Sequence, residues 1–174
     1  MKKLLFVLPL IALLGACAKE AEPLTPPSVE TKTVKLVKSN CGLTGDDSVE
    51  AFDVSLDIEG KQEKYTFEIG PNCYAHSTYD EFLVKKDGYI KSKSQYTVDR
   101  LIIDFVNKKG VNFIVENASG EAVESHTSTV QTEFPGENDY GYVLEYPING
   151  SAWKIKNTTD FKPAFYSVTV VFSL

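Results

Sequence analysis

Hydrophobic and polar residues alternate with a period of two over most of the chain after Thr33. Segment 52–58 places an apolar residue at every second position, and segment 65–69 repeats the pattern. Glu59-Gly60-Lys61 separates them, as expected of a hairpin connection. Further runs follow, with turn residues between them, at 111–115, 140–146, 153–155 and 166–174. Such strands bury one face, and many of them favour a sandwich or a barrel.

Two segments also fit helical spacing. Thr78 and Glu81 have the spacing of a capping box, and apolar residues follow at helical offsets, so one short helix is predicted over 78–86. Residues 98–107 fit either a helix ended by Gly110 or a strand. Because Val, Ile and Phe dominate this segment, the strand is favoured.

The N-terminus has a different pattern. Lys2 and Lys3 precede the apolar run Leu4–Leu14, and the small residues Gly15 and Ala16 follow. The run is too short to span a bilayer, and the three parts together are typical of a secretory signal peptide. We expect residues 1–16 to be absent from the mature protein.

The end of this leader, Leu14-Gly15-Ala16-Cys17, resembles the lipobox of bacterial lipoproteins. The resemblance implies a diacylglycerol on the Cys17 sulfur and a membrane anchor built from several acyl chains, which hold far better than one. Ala18 in the next position resembles the outer-membrane sorting class of enteric-type bacteria. The expected location is therefore the cell envelope, anchored to the outer membrane and facing either the periplasm or the surface.

Residues 17–33 contain three prolines, several charges and almost nothing large and apolar. Such a segment cannot bury enough surface to offset its ordering entropy. We predict a flexible tether here. Residues 34–174 then form a single domain of ordinary size.

The chain carries a formal charge of −6. Removing Lys2 and Lys3 with the leader leaves 16 basic residues against 24 acidic ones, a charge of −8. A nucleic-acid partner is not expected, because phosphate binding needs a concentrated basic surface. A local group of four lysines is either a solvated strand face or a small basic patch: Lys85, Lys86, Lys91 and Lys93.

Three cysteines are present, and acylation would consume Cys17. In an oxidising compartment the remaining pair, Cys41 and Cys73, is predicted to form a disulfide. The chain has no CxxC motif and only two histidines, so no metal site and no cofactor are expected.

No catalytic motif is recognisable. Ser125 and His126 are neighbours and would point to opposite faces of a strand, which disfavours a nucleophilic triad. An acidic group could supply oxygen ligands to calcium, but its spacing does not match an EF-hand and a solvated loop is favoured: Asp46, Asp47, Glu50 and Asp53. The protein is not expected to be an enzyme.

An aromatic group occupies two predicted strands joined by a hairpin at 148–151: Tyr140, Tyr142, Tyr146 and Trp153. If these rings face solvent, they form a possible binding face for sugar or protein. If they face inward, they are core, which the apolar character of the strands favours.

Segments of the C-terminal half, 101–105, 113–120, 150–155 and 166–170, resemble the jelly-roll sandwiches appended to secreted bacterial proteases, of the P-domain and pre-peptidase type. The resemblance implies a fold and an accessory role, and no site residue is carried over from it. The predicted fold is all-β, an antiparallel jelly-roll-like sandwich.

These observations predict a lipid-anchored envelope protein that acts as a non-catalytic binding or structural module. Its expected partners are the membrane, through the anchor, and an envelope protein or glycan. Two alternatives stay open. One is a β-barrel that carries a lipid or small ligand in its cavity. The other is a hydrolase inhibitor that presents a protruding Asp87-Gly88 hairpin.

Overall fold

The fold is given by a computed structural model, which describes residues 31–41, 43, 50–107, 111–134 and 139–173, with the backbone alone for 107, 127–134 and 139–140. The predicted signal peptide, Cys17 and residues 18–30 of the predicted tether lie outside these ranges. Strand β1 begins at Thr31. Residues 31–33, predicted as tether, therefore belong to the sheet, where Thr31 pairs with Ser173.

The described residues form eleven strands with antiparallel pairing. The strands are β1 (Thr31–Leu36), β2 (Glu50–Ile58), β3 (Lys61–Ile69), β4 (Cys73–Ala75), β5 (Phe82–Val84), β6 (Tyr89–Asn107), β7 (Phe113–Asn117), β8 (Ala122–Val123), β9 (Thr127–Phe134), β10 (Asp139–Asn157) and β11 (Ala164–Ser173). One turn of 3₁₀ helix, Lys38–Asn40, follows β1. The all-β prediction is confirmed.

The predicted β2–β3 hairpin is present. The register pairs Ile58 with Lys61 and leaves a two-residue loop, in which Glu59 has φ 52° and Gly60 has φ 77°. Positive φ at both central residues matches the twist of the flanking strands. Asp57 Oδ1 accepts a hydrogen bond from the Gly60 N–H at 3.0 Å and holds the turn.

Two strands of 19 residues, β6 and β10, connect two layers of the sheet. The first half of β6 pairs with β3, and its second half pairs with β11. Strand β10 follows β6 along both halves, with register shifts between Pro147 and Ala152. Strands that pass from one layer to the other in this way form the corner of a sandwich.

We call the two parts the first and second layers. The first contains β2, β3, the first half of β6, the second half of β10, β7 and β8. The second contains β1, β11, the second half of β6, the first half of β10 and β9, with β5 and β4 beside the start of β11.

Aromatic rings from both layers meet in the core. The ring centroids of Tyr65 on β3 and Phe172 on β11 are 5.1 Å apart, and those of Phe113 on β7 and Phe105 on β6 are 4.8 Å apart. Edge-to-face pairs at these distances stabilise beyond the area that they bury. Residues 98–107 form part of β6, so the favoured strand interpretation is confirmed.

The predicted short helix over 78–86 is wrong. This segment contains a turn followed by β5, in which Phe82 and Val84 are fully buried and Leu83 is half-buried. Thr78 does not start a helix: residues 77–80 form successive bends, and the Thr78 N–H donates to His76 Nδ1 at 3.1 Å. Burial with a period of two and pairing with β4 and β11 therefore override the capping-box spacing.

The predicted hairpin at 148–151 is also wrong, since β10 continues through it without reversing direction. Asn149 has φ 47° and occupies the irregular stretch between the two halves of the strand. An Asn-Gly pair tolerates the left-handed region equally well in a turn and in a bulge. Here it lets β10 bend toward the second layer.

Candidate functional site

Most of the predicted aromatic binding face is core. Trp153 is 2% exposed and Tyr146 is 4% exposed. Trp153 Nε1 donates a hydrogen bond to the Tyr65 hydroxyl at 2.9 Å, which satisfies its polar group inside the core. Burial raises the pKa of Tyr146 to about 12.

The other two tyrosines do not restore a binding face. Tyr142 is half-buried, packs against the core and stacks on Phe105 with the ring centroids 5.1 Å apart. The side chain of Tyr140 lies outside the described part of the chain. The prediction of a possible solvent-facing binding face is therefore wrong for Tyr142, Tyr146 and Trp153. Alternate residues of β10 point between the layers, and these three side chains pack there.

The predicted disulfide between Cys41 and Cys73 is absent. Both residues are buried free cysteines. Cys41 Sγ contacts the Lys38 carbonyl at 3.4 Å, and Cys73 Sγ contacts the Tyr89 carbonyl at 3.6 Å. Desolvation raises their pKa values to about 11 and about 12, respectively, which keeps both thiols neutral and poorly reactive.

The Asp87-Gly88 turn, which the inhibitor alternative requires to protrude, is bonded through its backbone to the end of β10. The Asp87 N–H donates to the Asn157 carbonyl at 2.8 Å, and the Asn157 N–H donates to the Gly88 carbonyl at 3.1 Å. A Cβ on Gly88 would lie 2.9 Å from the Lys85 carbonyl oxygen. The turn is thus packed against the end of β10.

Asn157 holds this end of the molecule together. Its side chain is fully buried, and Nδ2 donates to the carbonyls of Val84, at 2.9 Å, and Phe161, at 2.5 Å. Oδ1 accepts the Thr159 N–H at 2.9 Å. Although Asn157 lies in an N-x-T sequence, its side chain serves these buried contacts.

The four clustered lysines have separate surroundings. The Lys85 ammonium lies 4.5 Å from the centroid of the Tyr74 ring, and Lys86 pairs with Asp160 at 3.2 Å. Lys91 and Lys93 flank the buried Ser92 on β6 and therefore extend from the outer face of the first layer. The predicted cluster is therefore divided between a turn and a strand.

The outer face of the first layer carries a compact ionic cluster. The Tyr89 hydroxyl and the Lys91 ammonium both contact Glu68 Oε1, at 3.0 and 2.7 Å. Lys154 Nζ lies 4.7 Å from the centroid of the Tyr89 ring. Lys91 lowers the pKa of the Glu68 carboxyl, while desolvation raises that of Tyr89. The Glu68 carboxylate and the Tyr89 ring together offset much of the positive charge of Lys91 and Lys154.

A groove opens beside this cluster, between β3 and β6. It has a volume of about 270 Å³. Eight residues from β2, β3 and β6 line it: Leu56, Lys64, Tyr65, Thr66, Lys93, Ser94, Gln95 and Tyr96. We call it the β3–β6 groove. Its lining combines two ammonium groups, three short polar side chains and the apolar surface of two tyrosines and a leucine.

The groove exists because the ladder between β3 and β6 is short. It covers Phe67–Ile69 and Ile90–Ser92 only. After Ser92 the strand β6 turns toward the second layer, where Val98 pairs with Phe172 of β11. Strand β3 stays with β2, so the two strands separate and leave a gap between them.

Hydrogen bonds organise the walls of the groove. Ser92 Oγ donates to the Thr66 carbonyl at 2.6 Å where the ladder ends. Asp53 accepts from Thr66 Oγ1 at 2.8 Å and from Lys64 Nζ at 3.1 Å. The Thr66 hydroxyl and the Lys64 ammonium lower the pKa of the Asp53 carboxyl.

The other predicted sites do not assemble. Ser125 and His126 are exposed in the connection between β8 and β9. Of the acidic group, Asp46 and Asp47 lie outside the described residues, and Asp53 pairs with Lys64. Within the described ranges, no group of three or more His, Cys, Asp or Glu residues could hold a metal ion.

No helix in the described part of the chain is long and apolar enough to cross a membrane.

Sequence reasoning did not find the β3–β6 groove. Lys64, Thr66 and Lys93 fit the polar positions of ordinary alternating strands, so nothing in their spacing marks them. The groove depends on where the β3–β6 ladder stops. That is a property of the bend in β6 and not of the local pattern.

Comparison of the chain with models of known protein families gives no match. Comparison with curated protein sequences gives no significant match.

Proposed function

We propose that this protein is a lipid-anchored component of a bacterial cell envelope, and that its β domain is a non-catalytic binding module. The observation that carries the proposal is the sequence Leu14-Gly15-Ala16-Cys17 behind a basic and apolar leader. Acylation of Cys17 would fix the chain to the membrane, and Ala18 supports sorting to the outer membrane.

The position of β1 supports a tethered arrangement. Cys17 and Thr31 are 14 residues apart, which corresponds to a reach of roughly 45–50 Å when extended. Proline-rich chains favour extended conformations. A domain on such a segment can stand clear of the lipid headgroups and meet partners in the space beside the membrane.

The placement of the reactive side chains supports binding over catalysis. His76 Nδ1 accepts the N–H groups of Thr78 and Tyr79, at 3.1 and 3.2 Å, and so shapes a turn. The thiols of Cys41 and Cys73 are buried and neutral. In each case the group that could act as a base or a nucleophile serves the fold.

The structure of the core bears on the two alternatives. Around Phe113, the rings of Phe105, Phe165 and Tyr146 pack with centroids 4.8 to 6.2 Å away, so this part of the space between the layers is filled by side chains. That favours a packed sandwich over a barrel that encloses a lipid. The Asp87-Gly88 turn is bound to Asn157, which disfavours it as an inhibitory loop.

The experiment for the anchor compares Cys17→Ser with Cys41→Ser in a Gram-negative host fed a radiolabelled fatty acid. Cys41→Ser is the matched control, because acylation depends on the leader sequence and not on a buried thiol of the domain. We expect label and membrane association in the wild type and in Cys41→Ser, and neither in Cys17→Ser. Label on the Cys17→Ser chain, or an unlabelled wild type, would contradict the proposal.

A further inference from the structure

Two contacts between β3 and β6 bound the groove along the strand direction. At one end the ladder joins Phe67 to Ser92. At the other end Gln95 Nε2 donates to Glu63 Oε2 at 3.2 Å and spans the gap between the strands. A groove bounded in this way fits a short ligand better than an extended peptide, which would need to run out along the strand direction.

The size of the groove sets the size of the ligand. Its volume of about 270 Å³ lies just below the roughly 300–1,000 Å³ of sites for drug-sized molecules. One ring with its substituents matches this space. The apolar surface for such a ring comes from Tyr96, which is half-buried with its ring centroid 6.5 Å from that of Phe172. Leu56 and Tyr65, which are 4% and 3% exposed, form the floor of the groove.

The polar side chains set the chemistry of the ligand. Thr66 Oγ1, which donates its proton to Asp53, can accept a hydrogen bond from a ligand hydroxyl group, and Ser94 and Gln95 can exchange hydrogen bonds with such groups. Lys64 is shared with Asp53, whereas the side chain of Lys93 is exposed beside the groove without a carboxylate of its own in the described part of the chain. An ammonium in this position favours a ligand with a negative charge, since charge-assisted hydrogen bonds are the stronger ones.

We infer that the β3–β6 groove binds an acidic sugar, meaning a saccharide ring that carries a carboxylate or a phosphate. The ring packs on Tyr96, the hydroxyl groups bind Thr66, Ser94 and Gln95, and the anionic group binds Lys93. This inference rests on the proposed function as a binding module and names its ligand class. It does not depend on the lipid anchor.

The test titrates the full mature protein, in non-ionic detergent, with glucuronic acid and with glucose, and follows binding by ligand-observed NMR. The two sugars share one ring and differ in the carboxylate. Glucose 6-phosphate serves as the phosphate-bearing probe, and an acidic tripeptide of similar size is a competitor. We expect glucuronic acid or glucose 6-phosphate to bind more tightly than glucose, and the tripeptide not to displace it.

The variants are Lys93→Gln and, as a matched control, Lys35→Gln, which removes another exposed strand lysine from the outer face of the second layer. Losing one charge-assisted contact should weaken binding of the acidic sugar about tenfold in Lys93→Gln. The control should bind like the wild type. Equal binding of glucose, equal loss in both variants, or displacement by the tripeptide would overturn the inference.

The two proposals fail in distinguishable ways. If no sugar binds while Cys17 is acylated, the ligand class is wrong and the anchored module stands. If acidic sugars bind while the wild-type chain is unlabelled, the groove stands and the anchor is wrong.

Discussion

The β3–β6 interface has two regions with opposite properties. At Phe67–Ile69 the strands form a ladder, and Phe67 is fully buried with its ring centroid 6.0 Å from that of Trp153. Two residues earlier along β3, the strands have separated and polar side chains line the gap. One bend in β6 explains both regions, because it brings β6 to the second layer and withdraws it from β3.

This contrast separates residues that stabilise the protein from residues that are available for binding. Trp153 and Tyr146 have the composition of a binding face, yet they fill the core. Lys93 and Gln95 look like ordinary surface residues, yet they border a defined groove. The position of a residue relative to the bend decides its role more than its type does.

The largest effect is expected in the ladder region, from Trp153→Ala. The substitution removes the bulkiest fully buried side chain and the indole N–H that donates to the Tyr65 hydroxyl. We expect a loss of about 3–5 kcal/mol in the free energy of unfolding, measured by denaturant titration. A control at the groove, Lys93→Gln, should change stability by less than about 0.5 kcal/mol. A loss below about 1 kcal/mol for Trp153→Ala would place this ring outside the core.

A smaller effect is expected at the boundary between the two regions, from Ser92→Ala. Ser92 is 6% exposed, and its hydroxyl donates to the Thr66 carbonyl where the ladder ends. Losing this bond should lower the free energy of unfolding by about 1 kcal/mol. The exposed Ser55→Ala on β2 is the matched control and should be nearly neutral. Equal effects of the two changes would argue that the end of the ladder is not fixed by Ser92.

The smallest effect is expected beside the groove, in the titration of Asp53, which bonds two of the lining residues. Bonds from Thr66 and Lys64 lower the pKa of its carboxyl from the ordinary value of 3.8. A lowered folded-state pKa gives stability that is present above the unfolded value and is lost as pH falls through the folded value. NMR titration should place the Asp53 pKa below 3.8 and higher in Thr66→Val than in the wild type. An unchanged pKa in that variant would remove Thr66 as its cause.

Local sequence patterns predicted the strands better than they predicted how the strands are connected. Alternation at 52–58 and 65–69, with Glu59 and Gly60 between them, was sufficient for the β2–β3 hairpin, because both strands and the turn are specified within about twenty residues. Asn149-Gly150 carries a similar turn signature, but the chain uses it for the bend in β10. The two outcomes differ only in how the chain continues beyond the pair.

Other errors arose where distant contacts decide the structure. Thr78 and Glu81 have helical capping spacing, but Phe82 and Val84 pair with strands that are remote in the sequence. The count of cysteines predicted a bond between Cys41 and Cys73, but a count carries no information on the direction of either thiol. The β3–β6 groove could not be predicted at all, because the point at which β3 and β6 separate depends on the second layer.

The most direct test of the account is to map backbone amide shifts of the full mature protein as glucuronic acid is added. We expect shifts at residues 64–66 and 93–96, where the strands have separated. We expect little change at 67–69, where β3 and β6 form the ladder, and at 152–155 of β10, where Trp153 is buried. Shifts centred on the ladder region, or spread evenly over both regions, would contradict the claim that the bend in β6 makes one region core and the other a binding site.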